Sequence, residues 1–163
     1  MRAALIALGL ALTLAACGAP KPASSGDLQA AQTFMAANAK QPGVVTLPDG
    51  LQYKIVTSGP ATGPHPTETD LVKVNYEGKL ASNGTIFDSS FQRGQPVTFP
   101  LGNLVQAWIE GLQLMRPGDE WILYVPPALG YGDEDKGPIP ANSVLIFRIQ
   151  LLAVNPPSTG PGE

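Results

Sequence analysis

Histidine and cysteine, the side chains on which nucleophile–base pairs and many metal sites are built, occur once each in this sequence. The one histidine, His65, stands between Pro64 and Pro66, and the one cysteine, Cys17, follows Leu14-Ala15-Ala16. A proline-fenced loop histidine with no second imidazole is a poor base, so Ser-His-Asp and Cys-His catalysis both lack a proton acceptor. A single cysteine excludes an internal disulfide and a cysteine-based metal site. Asp133-Glu134-Asp135 lacks the spacing and terminal glutamate of a calcium loop. Gly130-Tyr131-Gly132 has no βαβ unit after it to hold a dinucleotide. No cofactor and no metal are expected. A net charge of −3, without clustered Lys and Arg, leaves nothing to engage nucleic acid. What the chain does concentrate is aromatic rings: of its five Phe, four Tyr and two Trp, all but Phe34 fall between Tyr53 and Phe147. Rings gathered in this way suit a hollow that binds and desolvates.

The stretch 103–112 places Trp108 at the centre of that hollow. Asn103 can cap a helix with Gln106 as its capping-box partner. Leu104, Trp108 and Leu112 recur every four residues, with Val105 and Ile109 alongside, which makes one apolar stripe. Such a helix is too short to hold itself in water and must be pinned by a sheet. The flanking sequence supplies strands. Val72, Val74 and Tyr76 alternate with Lys73, Asn75 and Glu77; Trp121, Leu123 and Val125 alternate with Ile122 and Tyr124. Leu145, Phe147, Ile149 and Leu151 share one face of a last strand, Val144 to Leu152, and Leu51, Tyr53 and Ile55 one face of an early strand. Further strands are expected at Ile86–Ser90 and Val97–Phe99, with turns at Pro48-Asp49-Gly50, Asn83-Gly84 and Pro117-Gly118. Strands, one helix, then strands imply an α+β domain with a largely antiparallel sheet.

The N-terminus reads as an address. Arg2 precedes an apolar run, Ala3 to Ala16, of roughly 21 Å as a helix, short of the ~30 Å hydrocarbon core. A charge, an apolar run and small residues are the order of an export signal, assigned to residues 1–16. Leu14-Ala15-Ala16-Cys17 also resembles the lipobox of bacterial lipoproteins, which makes Cys17 a lipidation site. Gly18 after it fits outer-membrane delivery, facing the periplasm. Residues 17–26 form a flexible tether. Residues 27–46 hold a short helix, capped by Asp27 and running to about Lys40, and a lead-in. Leu28, Ala31, Phe34 and Met35 make a thin apolar stripe, read as a docking face on the domain in preference to a dimer seam, because roughly fourteen residues give only two heptads. Residues 47–154 are the domain proper, and 155–163 are a tail too rich in Pro, Gly and Ser to pack.

Five short motifs carry a family resemblance: Val74-Asn75-Tyr76-Glu77-Gly78, Phe87-Asp88-Ser89-Ser90, the helix Leu104–Leu112, Leu129-Gly130-Tyr131-Gly132, and the run from Pro138 to Phe147. In this order and near-family spacing they resemble an FKBP-type peptidyl-prolyl isomerase over about Leu47 to Val154. The run from Phe34 to Lys54 is similar to the bacterial macrophage-infectivity-potentiator branch, whose members are exported, often lipidated, and commonly dimerise through a long N-terminal helix. That helix is short here, and a monomer or weak dimer is expected. The resemblance implies a five- to six-stranded twisted antiparallel half-barrel wrapped around one short helix. It implies Trp108 as the pocket floor, Tyr76, Phe87, Phe99, Val105 and Phe147 as walls, and Ile139 closing a flap. It further implies that Asp88 sits at the rim near the isomerising amide, that Tyr131 donates its hydroxyl to a substrate carbonyl, and that the Val105 N–H holds the chain. Proline-containing polypeptides would be substrates and macrolides inhibitors.

Such a pocket suits the reaction. Rotation about an X–Pro bond breaks no covalent bond; its barrier is amide resonance, ~18–20 kcal/mol, and spontaneous exchange takes tens to hundreds of seconds. Reaching about 100 s⁻¹ needs about four decades, or roughly 5.5 kcal/mol. A dry ring-lined cavity favours the less polar twisted amide, and a hydrogen bond to a flanking carbonyl favours the rotated geometry. A peptide-binding chaperone module with little turnover is the rival reading.

Overall fold

The computed structural model describes residues 25–157. The export signal and Cys17 lie outside the described residues, as does the tail beyond Pro157. The described elements are α1 (Ser25–Asn38), β1 (Val44–Thr46), β2 (Gln52–Thr57), β3 (Leu71–Leu80), β4 (Ile86–Ser89), α2 (Ser90–Arg93), β5 (Val97–Pro100), α3 (Gln106–Leu114), β6 (Glu120–Val125) and β7 (Leu145–Val154). They form a single antiparallel sheet in the order β1-β2-β6-β7-β3-β4, with β5 also on β3. Among the described residues the sheet has seven strands, because the three-residue β1 extends one edge through the hairpin at Pro48-Asp49-Gly50.

The alternation read in β3, β6 and β7 is the observed burial pattern: Val72, Val74 and Tyr76, then Trp121, Leu123 and Val125, then Leu145, Phe147, Ile149 and Leu151 all face the core. Helix α3 lies against that face. Its buried positions are Ala107, Trp108, Gly111 and Leu112, so the apolar face is turned from the expected stripe and leaves Leu104, Val105 and Ile109 half-buried. Gly111 explains the turn: a Cβ there would lie 2.8 Å from Leu123 Cδ1, so its absence lets helix and strand close together.

Three local expectations are corrected. Asn103 does not cap α3, because Leu101–Asn103 is a 3-10 turn and Val105 is the N-cap, without a side-chain cap bond. The Gln106 amide instead reaches forward to Glu110 Oε1 at 2.6 Å. In β2 the half-buried alternation fails: Gln52 is buried and Ile55 is 46% exposed. The cause is α1, which docks over that end of the strand. Asn38 Nδ2 donates to Gln52 Oε1 at 2.8 Å, and Gln52 Nε2 donates to the Met35 carbonyl at 2.9 Å. Ala31 is buried and Phe34 and Met35 are half-buried, while Leu28 stays exposed. Helix α1 also starts two residues before Asp27, which falls in its first turn, where a carboxylate suits the helix dipole.

Asn155, assigned to the tail, is tied down: its Oδ1 accepts the Leu71 N–H at 2.9 Å and its Nδ2 donates to Asp70 at 2.8 Å. The proline-rich loop after β2 is fixed as well. Gly59 N–H donates to Asp119 Oδ1 at 2.6 Å, and Arg116 Nε donates to His65 Nε2 at 2.9 Å. His65 is therefore a loop fastener, far in role from a catalytic base.

Candidate functional site

On the edge of β3 away from β7, β4 pairs with residues 77–79 and β5 with residues 71–74. Between them, the edge at Tyr76 has no strand partner. Ser90, fully buried, fills the break: its Oγ accepts the Tyr76 N–H at 2.8 Å. The chain from Ser89 turns there into α2, where the Ser89 hydroxyl accepts the Gln92 N–H at 3.3 Å. This one turn of helix brings Arg93 back over the site.

The break opens onto a hollow of about 320 Å³, the low end of the range for ligand pockets. Sheet residues Tyr76, Phe87, Asp88, Phe99 and Phe147 line it, as do Val105 and Trp108 from the helix start and Tyr131 from the loop after β6. Eight of the expected residues thus come together. Trp108 meets three rings edge-on: Tyr76 at 5.3 Å, Phe147 at 5.4 Å and Phe99 at 6.2 Å between centroids. Phe87 stands edge-on to Phe147 at 5.7 Å. Edge-to-face pairs place a positive ring edge on a negative face and contribute ~0.5–1.5 kcal/mol each beyond burial, so the walls support one another.

The Phe87–Phe147 pair depends on Gly78. A Cβ at Gly78 would sit 2.6 Å from Phe87 Cζ and 2.7 Å from Phe147 Cε1. Gly78→Ala is expected to displace both rings, cost ~1–3 kcal/mol by overpacking and weaken ligand uptake, as checked by thermal melts and peptide titration.

At the rim, Tyr76 donates its hydroxyl to Asp88 Oδ2, and Arg93 Nη1 pairs with Asp88 Oδ1. Arg93 Nη2 also donates to the Tyr76 oxygen at 3.0 Å, with the guanidinium 5.6 Å from the ring centroid. Burial alone would push the Asp88 carboxyl up, but hydrogen bonds from Tyr76 and Arg93 outweigh it and hold it below the usual carboxylate value. Tyr76 moves upward, through burial and its bond to Asp88. Among the described residues neither the Val105 N–H nor the Tyr131 hydroxyl makes a hydrogen bond. The site therefore offers a fixed anionic rim and two unengaged donors.

Ile139 is the expected site residue that the hollow leaves out. It is 6% exposed and packs in the core, held where the loop folds back and Lys136 N–H donates to its carbonyl at 2.9 Å. Sequence reasoning missed Asn103 and Leu104, which line the mouth, and Arg93. The serines after Asp88 were the available signal for Arg93, since a Ser N-cap starts a turn that returns a residue four positions on.

Residues 63–152 match the family described as FKBP-type peptidyl-prolyl cis-trans isomerase. Residues 15–55 match the domain amino terminal to FKBP-type peptidyl-prolyl isomerase. The peptidyl-prolyl cis-trans isomerase Mip of Coxiella burnetii is 48% identical over 129 residues, covering 78% of this chain and 55% of that protein. The outer membrane protein MIP of Legionella longbeachae is 46% identical over 122 residues, 74% of this chain and 51% of that one. The chain spans about half the length of the curated relatives it matches. A peptidyl-prolyl cis-trans isomerase from Pseudomonas syringae, solved at 1.6 Å, superposes with a TM-score of 0.76 at 36% identity, covering 85% of this chain and all of that one. With a family model that spans residues 63–152 and relatives at 46% and 48% identity over about three quarters of its length, the chain belongs to the FKBP-type peptidyl-prolyl cis-trans isomerase family.

Proposed function

We propose that this chain is a peptidyl-prolyl cis-trans isomerase acting on folding or exported polypeptides outside the cytoplasm. The observation that carries the reading is the trio of rings standing edge-on around Trp108, open beside Asp88 and Tyr131. A proline ring seated over the indole leaves water. Its imide bond, held among apolar walls, loses the solvation that favours the planar, more polar form. The Val105 N–H and Tyr131 hydroxyl hold flanking carbonyls, which fixes one side of the bond while the other turns. Asp88 stays ionised and gives the rim a constant field. Nothing on this path gains or loses a proton.

Two results follow for a proline-tetrapeptide isomerisation assay on the mature chain. Tyr131→Phe lowers kcat/KM about threefold to tenfold, the worth of one modest hydrogen bond, with little change in melting temperature. The pH profile should be flat from about pH 5 to 8. The sign follows from Asp88: its lowered value means that the ionised, hydrogen-bonded form is complete above the ordinary carboxylate range and is lost only as pH falls through the lowered value. Proline-peptide binding without acceleration is the result that would leave the chaperone reading in its place.

Macrolides, as inhibitors, would compete for the same hollow. The membrane role rests on Cys17 after Leu14-Ala15-Ala16 and on a relative named as an outer membrane protein. The mature chain would begin at an acylated Cys17, facing the periplasm on a short tether, as monomer or weak dimer. Intact mass spectrometry of the membrane-extracted protein tests this, and an unacylated Cys17 is the contrary result.

A further inference from the structure

Helix α2 is the least self-sufficient element of the site. Its four residues, Ser90–Arg93, are too few to hold a helical turn in water, yet Arg93 at its end meets both Asp88 and Tyr76. The inner anchor is Ser90, through the Tyr76 N–H. One hydrogen bond fixes the start of the turn and leaves its orientation open. A second anchor lies on the other side. Successive helical residues turn by about 100°, so Phe91 and Arg93, two apart, point in nearly opposite directions. Arg93 reaches the rim of the hollow. Phe91, half-buried, meets Arg148, whose guanidinium carbon lies 4.9 Å from the ring centroid.

Arg148 follows Phe147, a wall of the hollow, and so projects from the opposite face of β7. Its Nε donates to Glu120 Oε1 at 2.7 Å, and Gln150 Nε2 donates to Glu120 Oε2 at 2.7 Å. The Glu120 side chain is 15% exposed; held by both neighbours on β7, its carboxylate in turn orients the guanidinium. Glu77, directly across from Arg148 on β3, is a second carboxylate close enough to act on it.

We propose that Arg148 is a positioning residue for the rim of the hollow: paired with the Phe91 ring, it fixes the orientation of α2 and so the placement of Arg93 on Asp88 and Tyr76. The consequence for turnover rests on the isomerase reading. A guanidinium suits the task because its planar face can lie on a ring while its Nε–H is committed to Glu120; a lysine ammonium, a point charge on a flexible stem, cannot do both. The Arg148 side chain is half exposed, so the pairing adds little to stability. Its effect is on where Arg93 sits.

The test compares the mature chain with Arg148→Gln, Phe91→Leu and Phe91→Tyr; neither position lines the hollow. In the tetrapeptide assay kcat/KM should fall about threefold in Arg148→Gln and Phe91→Leu, the rate equivalent of one exposed cation–π pairing. It should recover in Phe91→Tyr, which keeps a ring face. Melting temperatures should stay within about 3 °C of wild type. Positioning and general loosening of the sheet separate in an Arg93→Ala background. A residue acting through Arg93 causes no further loss there, whereas loosening lowers turnover by the same factor in both backgrounds. The Arg93 Nε–H signal in NMR gives a readout independent of turnover, and should shift or broaden in Arg148→Gln and Phe91→Leu. Equal kcat/KM in wild type and Arg148→Gln overturns the proposal, as does the same threefold loss with Arg93→Ala present. If wild type shows no turnover, the isomerase reading falls by itself and the Arg93 signal decides the link: changed in Arg148→Gln it supports Arg148 as the anchor, unchanged it overturns the proposal as well.

Discussion

Trp108→Ala is expected to lose about 3–5 kcal/mol of stability and nearly all isomerase turnover. The indole is 4% exposed and is the face onto which Tyr76, Phe99 and Phe147 close edge-on. Truncation removes those three pairings together and leaves a cavity that a helix pinned at Ala107, Gly111 and Leu112 cannot collapse to fill. Turnover is expected to fall because a proline ring bound as proposed would lose the surface it rests on. The two effects separate with Trp108→Leu, which restores part of the volume: the melting temperature should recover by several degrees while kcat/KM stays low. Denaturant melts beside a proline-peptide assay read both quantities. Full activity in a folded Trp108→Leu protein would remove the floor from the site.

The second large effect is the converse. Asp88→Ala should lower kcat/KM by about tenfold to a hundredfold, one to two decades of transition-state stabilisation, with a stability change of only about 1 kcal/mol. The Asp88 and Arg93 side chains are 42% and 43% exposed, so solvent screens their pairing and it adds little to the fold. The loss acts on Tyr76: without the carboxylate its hydroxyl keeps just the Arg93 contact, and the ring that faces Trp108 is less firmly placed. Asp88→Asn keeps shape and removes charge. If Asn restores activity, Asp88 works by holding Tyr76; if it does not, the charge itself acts on the amide. Unchanged turnover in both variants would exclude Asp88 from the site.

How far the sequence could be read follows from what each residue answers to. Strands β3, β6 and β7 were legible because each buries one whole face, and a one-residue slip would expose it. The rings of the hollow were legible through motif order: six of them, with Asp88 and Val105, meet around one cavity. Gln52 was misread because its burial depends on α1, a helix brought over β2 from 14 residues away in sequence. Asn103 has a capping side chain, yet tertiary packing took Leu101, fully buried, as the anchor and left Asn103 in a 3-10 turn. Ile139 was assigned to a flap by the resemblance alone; here it packs in the core, with a backbone bridge to Lys136. Arg93 was hidden for the opposite reason: it belongs to the site through a four-residue helix with no periodicity of its own.

On the proposed reading, a ring-lined hollow accelerates X–Pro rotation with no reactive group taking part. Magnetisation-exchange NMR on a proline tetrapeptide with a catalytic amount of the mature chain measures it directly. The expected result is cis–trans exchange raised from about 10⁻² s⁻¹ into the range of 1 s⁻¹ or faster, together with line broadening of the Trp108 indole signal, and loss of the acceleration in Trp108→Leu. Spontaneous exchange rates in the presence of the folded chain, or acceleration that leaves the Trp108 signal untouched, would contradict it.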